Sequence, residues 1–222
     1  MRLTHYGHSC VLVELGDARI LIDPGNLSAG FEQLTGLDAI LVTHQHPDHG
    51  DVARLPALLA ANPQAAAYCD PQSAQLWAGE AWGARFTAAR TGDAFHIADV
   101  RVDVAGGTHA TIHPDIPLVD NACFLFSTPQ QAHAFLHPGD ALFVPDQPVD
   151  VLALPATAPW SKLQETVDYF RAVAPRVAIP IHTAIVSEPG LGIYLGQLQN
   201  LGPSGTRFLT PPREEAVEIP LP

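Results

Sequence analysis

The stretch THQHPDHGD at residues 43–51 constrains this chain more than any other, setting three histidines and two aspartates into nine positions. The apolar run DAILVT (38–43) leads into it, and DVARLPALLAAN (51–62), with helical apolar spacing, leads out. A strand, a loop and a helix in that order place the cluster on the loop at the strand's carboxyl end. On a tight loop His44 and His46 can turn their imidazoles the same way, as alternate residues of extended chain do, while Asp48 and His49 are carried round the bend beside them. Imidazole and carboxylate so placed suit divalent cations, zinc first, with manganese or iron also fitting. Pro47 stiffens the loop and Gly50 frees its backbone, so the ligands need little further ordering. A polar turn with solvated histidines is the competing reading, and four ligand-type residues in the pattern HxHxDH weigh against it.

Other segments supply the frame. CVLVEL and ARILID flank Gly16-Asp17 as two strands of a hairpin, and counting back from that turn brings His8 level with Asp23. AAAYC (65–69) and the helix-like PQSAQLWAGEA (71–81) repeat the strand-then-helix order. Strands are expected at RFTAA, DAFHI, VRVDVA, CFLFS, HAFLH, LFVP, VDVLALP, VAIPI and TRFLT, with helices over 161–174 and GIYLGQLQNLG. Strands with helices interspersed in both halves imply two sheets covered by helices on their outer faces, in one domain over 1–222. The tail from 210 to 222 reads as loosely anchored.

Composition narrows the partners. The 23 carboxylates outnumber 11 Lys and Arg, giving a formal charge of −12, and no basic stripe offsets it, so nucleic acid is not expected. No apolar run is long enough for a membrane span, and MRLTHYGHSC lacks the regions of an export signal, which points to a cytoplasmic protein acting on a small molecule. Cys10, Cys69 and Cys123 form no CxxC pair and read as buried packing.

Four ligands do not close two sites, because two cations with open positions want about three protein ligands each. The remaining candidates are His109 and His113 in GGTHATIH, His137 and Asp140 in LHPGDAL, and His182 in PIHTAIV. These residues, in this order, resemble the metallo-β-lactamase superfamily, an α+β fold built as a four-layer αββα sandwich with a dinuclear site along one edge. THQHPDHGD matches its signature loop, and ILIDPG (20–25) resembles its first motif, in which Asp23 supports the loop. The resemblance implies that His44, His46 and His109 hold one metal, that Asp48, His49 and His182 hold the second, and that Asp140 bridges them. Both His109 and His113 fit the third motif; His109 is preferred because it follows a strand and the flexible Gly106-Gly107, leaving His113 to line the pocket. GHSC, HPGD and PIH look most like the L-ascorbate 6-phosphate lactonase-like branch.

The chemistry implied is hydrolysis of an ester, lactone, amide or phosphoester by a water whose pKa, between two cations, falls from about 16 towards neutrality. The alternatives are a phosphodiesterase or nuclease using the same dinuclear site, or a non-catalytic metal-binding protein. Asp48 or another carboxylate then passes a proton to the leaving group. His8 and His137 are candidates for bonding a ligand or the substrate, against the plainer reading of His8 as a strand-end polar residue. Trp160 and Lys162, in the loop ATAPWSK, are candidate substrate contacts; alternatively Trp160 packs and Ser161 caps the helix that follows. His5, His96 and His133 are expected to face solvent.

Overall fold

A computed structural model describes all 222 residues. The first half builds β1 (Arg2–Gly7), β2 (Cys10–Leu15), β3 (Ala18–Ile22), β4 (Ala39–Val42), α1 (Leu55–Ala61), β5 (Ala66–Cys69), α2 (Pro71–Trp77) and β6 (Phe86–Ala88). The second builds β7 (Ala94–Ile97), β8 (Val100–Thr108), β9 (Asp120–Ser127), β10 (Phe135–His137), β11 (Val151–Pro155), α3 (Leu163–Val173), β12 (Val177–Ile181), α4 (Glu188–Leu201), β13 (Arg207–Phe208) and β14 (Ala216–Glu218). Two seven-stranded mixed sheets result, ordered β14-β1-β2-β3-β4-β5-β6 and β13-β12-β11-β10-β9-β8-β7. In each sheet a strand–helix–strand run adds parallel strands, because a crossover helix is what lets a chain return in the same direction.

The side-chain alternation explains the layering. Along β9, Ala122, Phe124 and Phe126 enter the core between the sheets, while Cys123 and Leu125 face outward beneath α3 and α4. Along β4, Ala39 and Leu41 point inward, and Ile40 and Val42 join Leu55, Leu58 and Leu59 of α1 on the other face. Strands buried on both faces must be apolar throughout, which is why these segments read as runs rather than alternations. Each fully buried Leu or Phe contributes about 1.5–3 kcal/mol, so this three-part core is the main source of stability. The three cysteines are free and buried, as their sequence context suggested. Burial pushes the Cys123 thiol up to about 12, which keeps it unreactive.

Four expectations need correction. LFVP (142–145) is not a strand, since Leu142 and Phe143 pack on the outer core from an irregular loop. The segment before His8 is a strand, β1, and His5 on it is buried at 6% exposure instead of solvated. His5 Nδ1 accepts the Gly7 N–H at 3.0 Å, and burial pulls the imidazole down to about 4. The tail is anchored: β14 pairs antiparallel with β1, Ile219 is buried, and the Ile219 N–H donates to the Met1 carbonyl at 2.9 Å. The helix expected from 192 begins four residues earlier, at Glu188, with the Ser187 hydroxyl accepting the Gly190 N–H at its head. His96 does face solvent, and His133 is half-buried.

Candidate metal centre

Loops at the carboxyl ends of the strands converge on one edge of the sandwich, the place where open α/β sheets hold their ligands. The loop 43–50 leaves β4 as a tight turn in which the His49 and Gly50 N–H groups both donate to the His46 carbonyl, each at 2.9 Å. Behind it lies the Asp23-Pro24-Gly25 turn that ends β3. A Cβ at Gly25 would stand 1.8 Å from the Asp48 carbonyl oxygen, so the two loops touch backbone to backbone and only glycine fits. The other ligand-type side chains arrive on His109 after β8, on Asp140 after β10 and on His182 after β12.

These residues form two groups, each with ligand atoms within 4.8 Å of one another: His44, His46, His109 and Asp140; and His8, Asp48, His49 and His182. Asp140 joins them. Its Oδ1 lies 3.0 Å from His49 Nε2, and its Oδ2 lies 3.3 Å from His109 Nε2 and 3.1 Å from His182 Nε2. His49 Nε2, His109 Nε2 and Asp140 Oδ1 are nevertheless buried without a hydrogen bond. Orphaned buried polar atoms are rare and costly, and three of them aimed into one place are what a cation would satisfy. The residues therefore fit divalent metal.

The hydrogen bonds on the far side of each ring fix which nitrogen is free. Asp23 is fully buried; its Oδ1 accepts the Thr43 N–H at 2.7 Å, and its Oδ2 accepts the Thr43 hydroxyl at 2.8 Å and His49 Nδ1–H at 2.6 Å. Because Thr43 gives its one proton to Asp23, its oxygen must accept from His44 Nδ1–H, 3.0 Å away. His109 Nδ1–H donates to the Ala110 carbonyl and His182 Nδ1–H to the Thr157 carbonyl. All four rings thus present a bare Nε2 to the centre, the arrangement outer partners impose on metal-bound imidazoles.

His8 is wired the opposite way. The Ala184 N–H donates to its Nδ1 at 3.2 Å, so its proton sits on Nε2 and is donated to Asp48 Oδ2 at 3.0 Å. It orients Asp48 and offers no lone pair to a metal, although it stands inside the second group. His137 is likewise not a free proton carrier. Fully buried, it accepts the Gly139 N–H on Nδ1 and donates Nε2–H to the Ser9 carbonyl at 3.0 Å. It ties the HPGD loop to the β1–β2 turn, which corrects its candidacy as a catalytic group.

Charge balance follows from burial and neighbours. Burial lowers His44 well below the ordinary imidazole value and lowers His46 and His8 as well. Burial pulls His49 the same way, yet Asp140 and Asp23 on either side override it and favour positive charge at its ring, a charge that a cation on Nε2 would supply in place of a proton. Burial works to raise Asp140, but His49 and His182 outweigh it and keep the carboxyl well below the usual carboxylate range. Three site residues, His8, Asp23 and His182, also occupy the left-handed backbone region at φ 49°, 51° and 57°. Such strain costs about 1–3 kcal/mol per residue and is held by the surrounding bonds, here including the His182 N–H to the His8 carbonyl at 2.8 Å.

Of the substrate candidates, Trp160 is 8% exposed and donates Nε1–H to Asp140 Oδ2 at 2.7 Å, its ring centroid 5.9 Å from that of His109 and 6.1 Å from that of His182. It packs and steadies Asp140. Ser161 does not cap α3; its hydroxyl bonds Thr166, and the Glu165 carboxylate accepts the Lys162 N–H. Lys162 is exposed. His113 is not brought into the centre: its side chain is 61% exposed and its Nδ1 accepts the Asp115 N–H. Sequence reading missed Thr43, Thr157 and Asn121, whose Oδ1 accepts the Asp140 N–H at 2.9 Å. For Thr43, adjacency to His44 was the only signal.

A metal-binding αββα sandwich is the class of protein that this fold and edge define. The beta-lactamase superfamily domain matches residues 2–182, and the chain belongs to the metallo-β-lactamase superfamily. It is 53% identical to Protein Rv0786c of Mycobacterium tuberculosis over 98% of this chain and 99% of that protein. It is 51% identical to the UPF0173 metal-dependent hydrolase mll0680 of Mesorhizobium japonicum over a stretch covering 22% of this chain and 23% of that one. Among solved structures, Igni18, a metallo hydrolase from Ignicoccus hospitalis, aligns with a TM-score of 0.74 at 18% identity, covering 100% of this chain and 99% of that one. No helix of the chain is long and apolar enough to cross a membrane.

Proposed function

We propose that this protein is a metal-dependent hydrolase that holds two divalent cations, zinc first, and cleaves an ester, lactone, amide or phosphoester bond of a small molecule. The observation that carries the reading is the pair of donor groups sharing Asp140, with three buried ligand atoms left unbonded between them. Similarity to UPF0173 metal-dependent hydrolases supports it. In this reading His44, His46 and His109 hold one cation, Asp48, His49 and His182 the other, and Asp140 both. When bound, the pair would supply the Lewis acidity that polarises the scissile bond and ionises water at neutral pH.

The chain's own residues do the rest. Within each group three residues are buried and one is half-buried, Asp48 in the second and His46 in the first, so substrate approaches over these two. Burial works to raise Asp48, but His8 and His49 outweigh it and keep the carboxylate ionised. With its side chain 24% exposed and Oδ2 fixed by His8, it is placed to take up a proton released in the reaction and relay it to the leaving group. The net charge of −12 favours a small-molecule substrate over nucleic acid, and the three unpaired cysteines suit the reducing cytoplasm. The motifs GHSC, HPGD and PIH favour a lactone as the finer choice.

The test is metal analysis of the purified chain together with turnover of lactones, carboxylic esters and model phosphodiesters, before and after chelation. Two metal equivalents and turnover that chelation abolishes and zinc restores are expected. Full activity in metal-free protein would overturn the reading, as would metal binding without turnover of any of these or of simple amides assayed beside them.

A further inference from the structure

A cavity lies behind His8, on the side of the second donor group. It measures about 330 Å³, and its wall is built from Leu27, from Leu191 and Leu195 of α4, from Pro211 of the tail, from His8 and from Arg213. His8 connects it to the chemistry, since the same imidazole bonds Asp48 and lies 4.2 Å, ring centroid to ring centroid, from His182. A group in this cavity is thus one side chain away from the second donor set.

The charge of the lining is unusual for this molecule. In a chain of net charge −12, no carboxylate lines the cavity, and Arg213 is its one cationic side chain. Several other arginines are taken up by carboxylates: Arg2, Arg19, Arg54, Arg101 and Arg176. Arg213 instead donates to a backbone oxygen, that of Tyr6, at 3.1 Å. Its guanidinium lies over Gly7, where a Cβ would stand 2.9 Å from Nη2 and where φ is 102°, so the missing side chain is what lets the cation sit there. One donated bond leaves most of the guanidinium fork free for an incoming acid.

We propose that this cavity binds the acidic, apolar flank of the substrate: a short hydrocarbon segment sheathed by Leu27, Leu191 and Leu195 and ending in a carboxylate or phosphate gripped by Arg213. The word substrate rests on the hydrolase reading above; the binding site itself does not. The anchored tail keeps Arg213 in place: it bridges His5 of β1 three residues before β14 begins, and its side chain bonds the Tyr6 carbonyl.

The test uses the metal-loaded full chain with labelled leucine methyl groups, followed by NMR. Hexanesulfonate, a poor metal ligand, is the charged probe and hexanamide its neutral counterpart; hexanoate and hexyl phosphate then separate the two acids. Hexanesulfonate should shift the Leu191 and Leu195 signals, and Arg213→Gln should weaken its binding by about tenfold or more, with Arg213→Lys retaining part and hexanamide unaffected. Leu191→Asp, which leaves the tail untouched, should weaken the sulfonate as well. Unshifted leucine signals, or equal sulfonate affinity in wild type and both charge-altering variants, would overturn the site. Metal content measured on the same samples keeps the questions apart: a chain that binds the sulfonate here but loads no metal retains the site and loses the hydrolase reading.

Discussion

The two donor groups share Asp140 and differ in almost everything around it. The group of His44, His46 and His109 opens onto a crevice of only about 10 Å³, roofed by Ile112, Ile116 and Leu118 of the loop after β8. The group of Asp48, His49 and His182 is backed by His8 and, beyond it, by the large cavity that Arg213 enters. One side is therefore shaped to hold an ion, and the other has room for the rest of a molecule. The wiring differs at one ring: His44 and His109 on one side and His49 and His182 on the other all give their Nδ1 protons away, while His8, present on the second side alone, keeps its proton on Nε2 and donates it to Asp48.

Variants can break this comparison or sharpen it. Asp140→Ala removes what the two sides share, and metal content should fall to near zero at both positions with turnover lost, read by elemental analysis and kinetics. His46→Ala should cost one metal equivalent, whereas His8→Ala should keep both and lower metal affinity or activity by about 10–100-fold, the usual effect of losing an outer partner. Loss of a whole equivalent in His8→Ala would make His8 a ligand and erase the asymmetry. Thr43→Val, which breaks the link from Asp23 to His44, should weaken metal on the His44 side by about tenfold and leave the His182 side nearly unchanged in a competition titration.

A separate effect, on stability instead of metal, concerns the cavity wall. His5 has a folded value near 4 against an ordinary 6.5, so between these the unfolded chain binds a proton that the folded chain refuses. Stability contributed by neutral His5 is present above pH 6.5 and is lost as pH falls towards 4, by about 3 kcal/mol for one such histidine. Urea unfolding of metal-free protein at both pH values should show His5→Leu lacking this part of the acid sensitivity.

Much of the fold was legible because a strand buried on both faces must read as an apolar run, as DAILVT, CFLFS and VDVLALP do. Elements whose order comes from partners were not. AVE (216–218) has no pattern of its own and becomes β14 only because β1 offers it an edge, and LFVP has the composition of a strand but no strand to pair with. The crowding of His44, His46, Asp48 and His49 was readable from residue type and spacing, since histidines and aspartates have few other reasons to crowd a short loop, whereas His109, Asp140 and His182 joined them only through the family resemblance. The tautomer of His8, the bond from Trp160 to Asp140 and the burial of His137 depend on atoms more than a hundred positions away in two of the three cases, and spacing along the chain carries no trace of them.

The meeting of Met1 and Ile219 closes the chain into a near-circle, for the charged amino group also donates to the Ile219 carbonyl at 3.2 Å. A few added residues could splice Pro222 to Met1, and new ends could then be cut at an exposed bend such as Gly92, leaving every metal-facing loop uninterrupted. Fusion partners attached at Met1 and at Pro222 would emerge side by side, beside the β1–β14 strand pair.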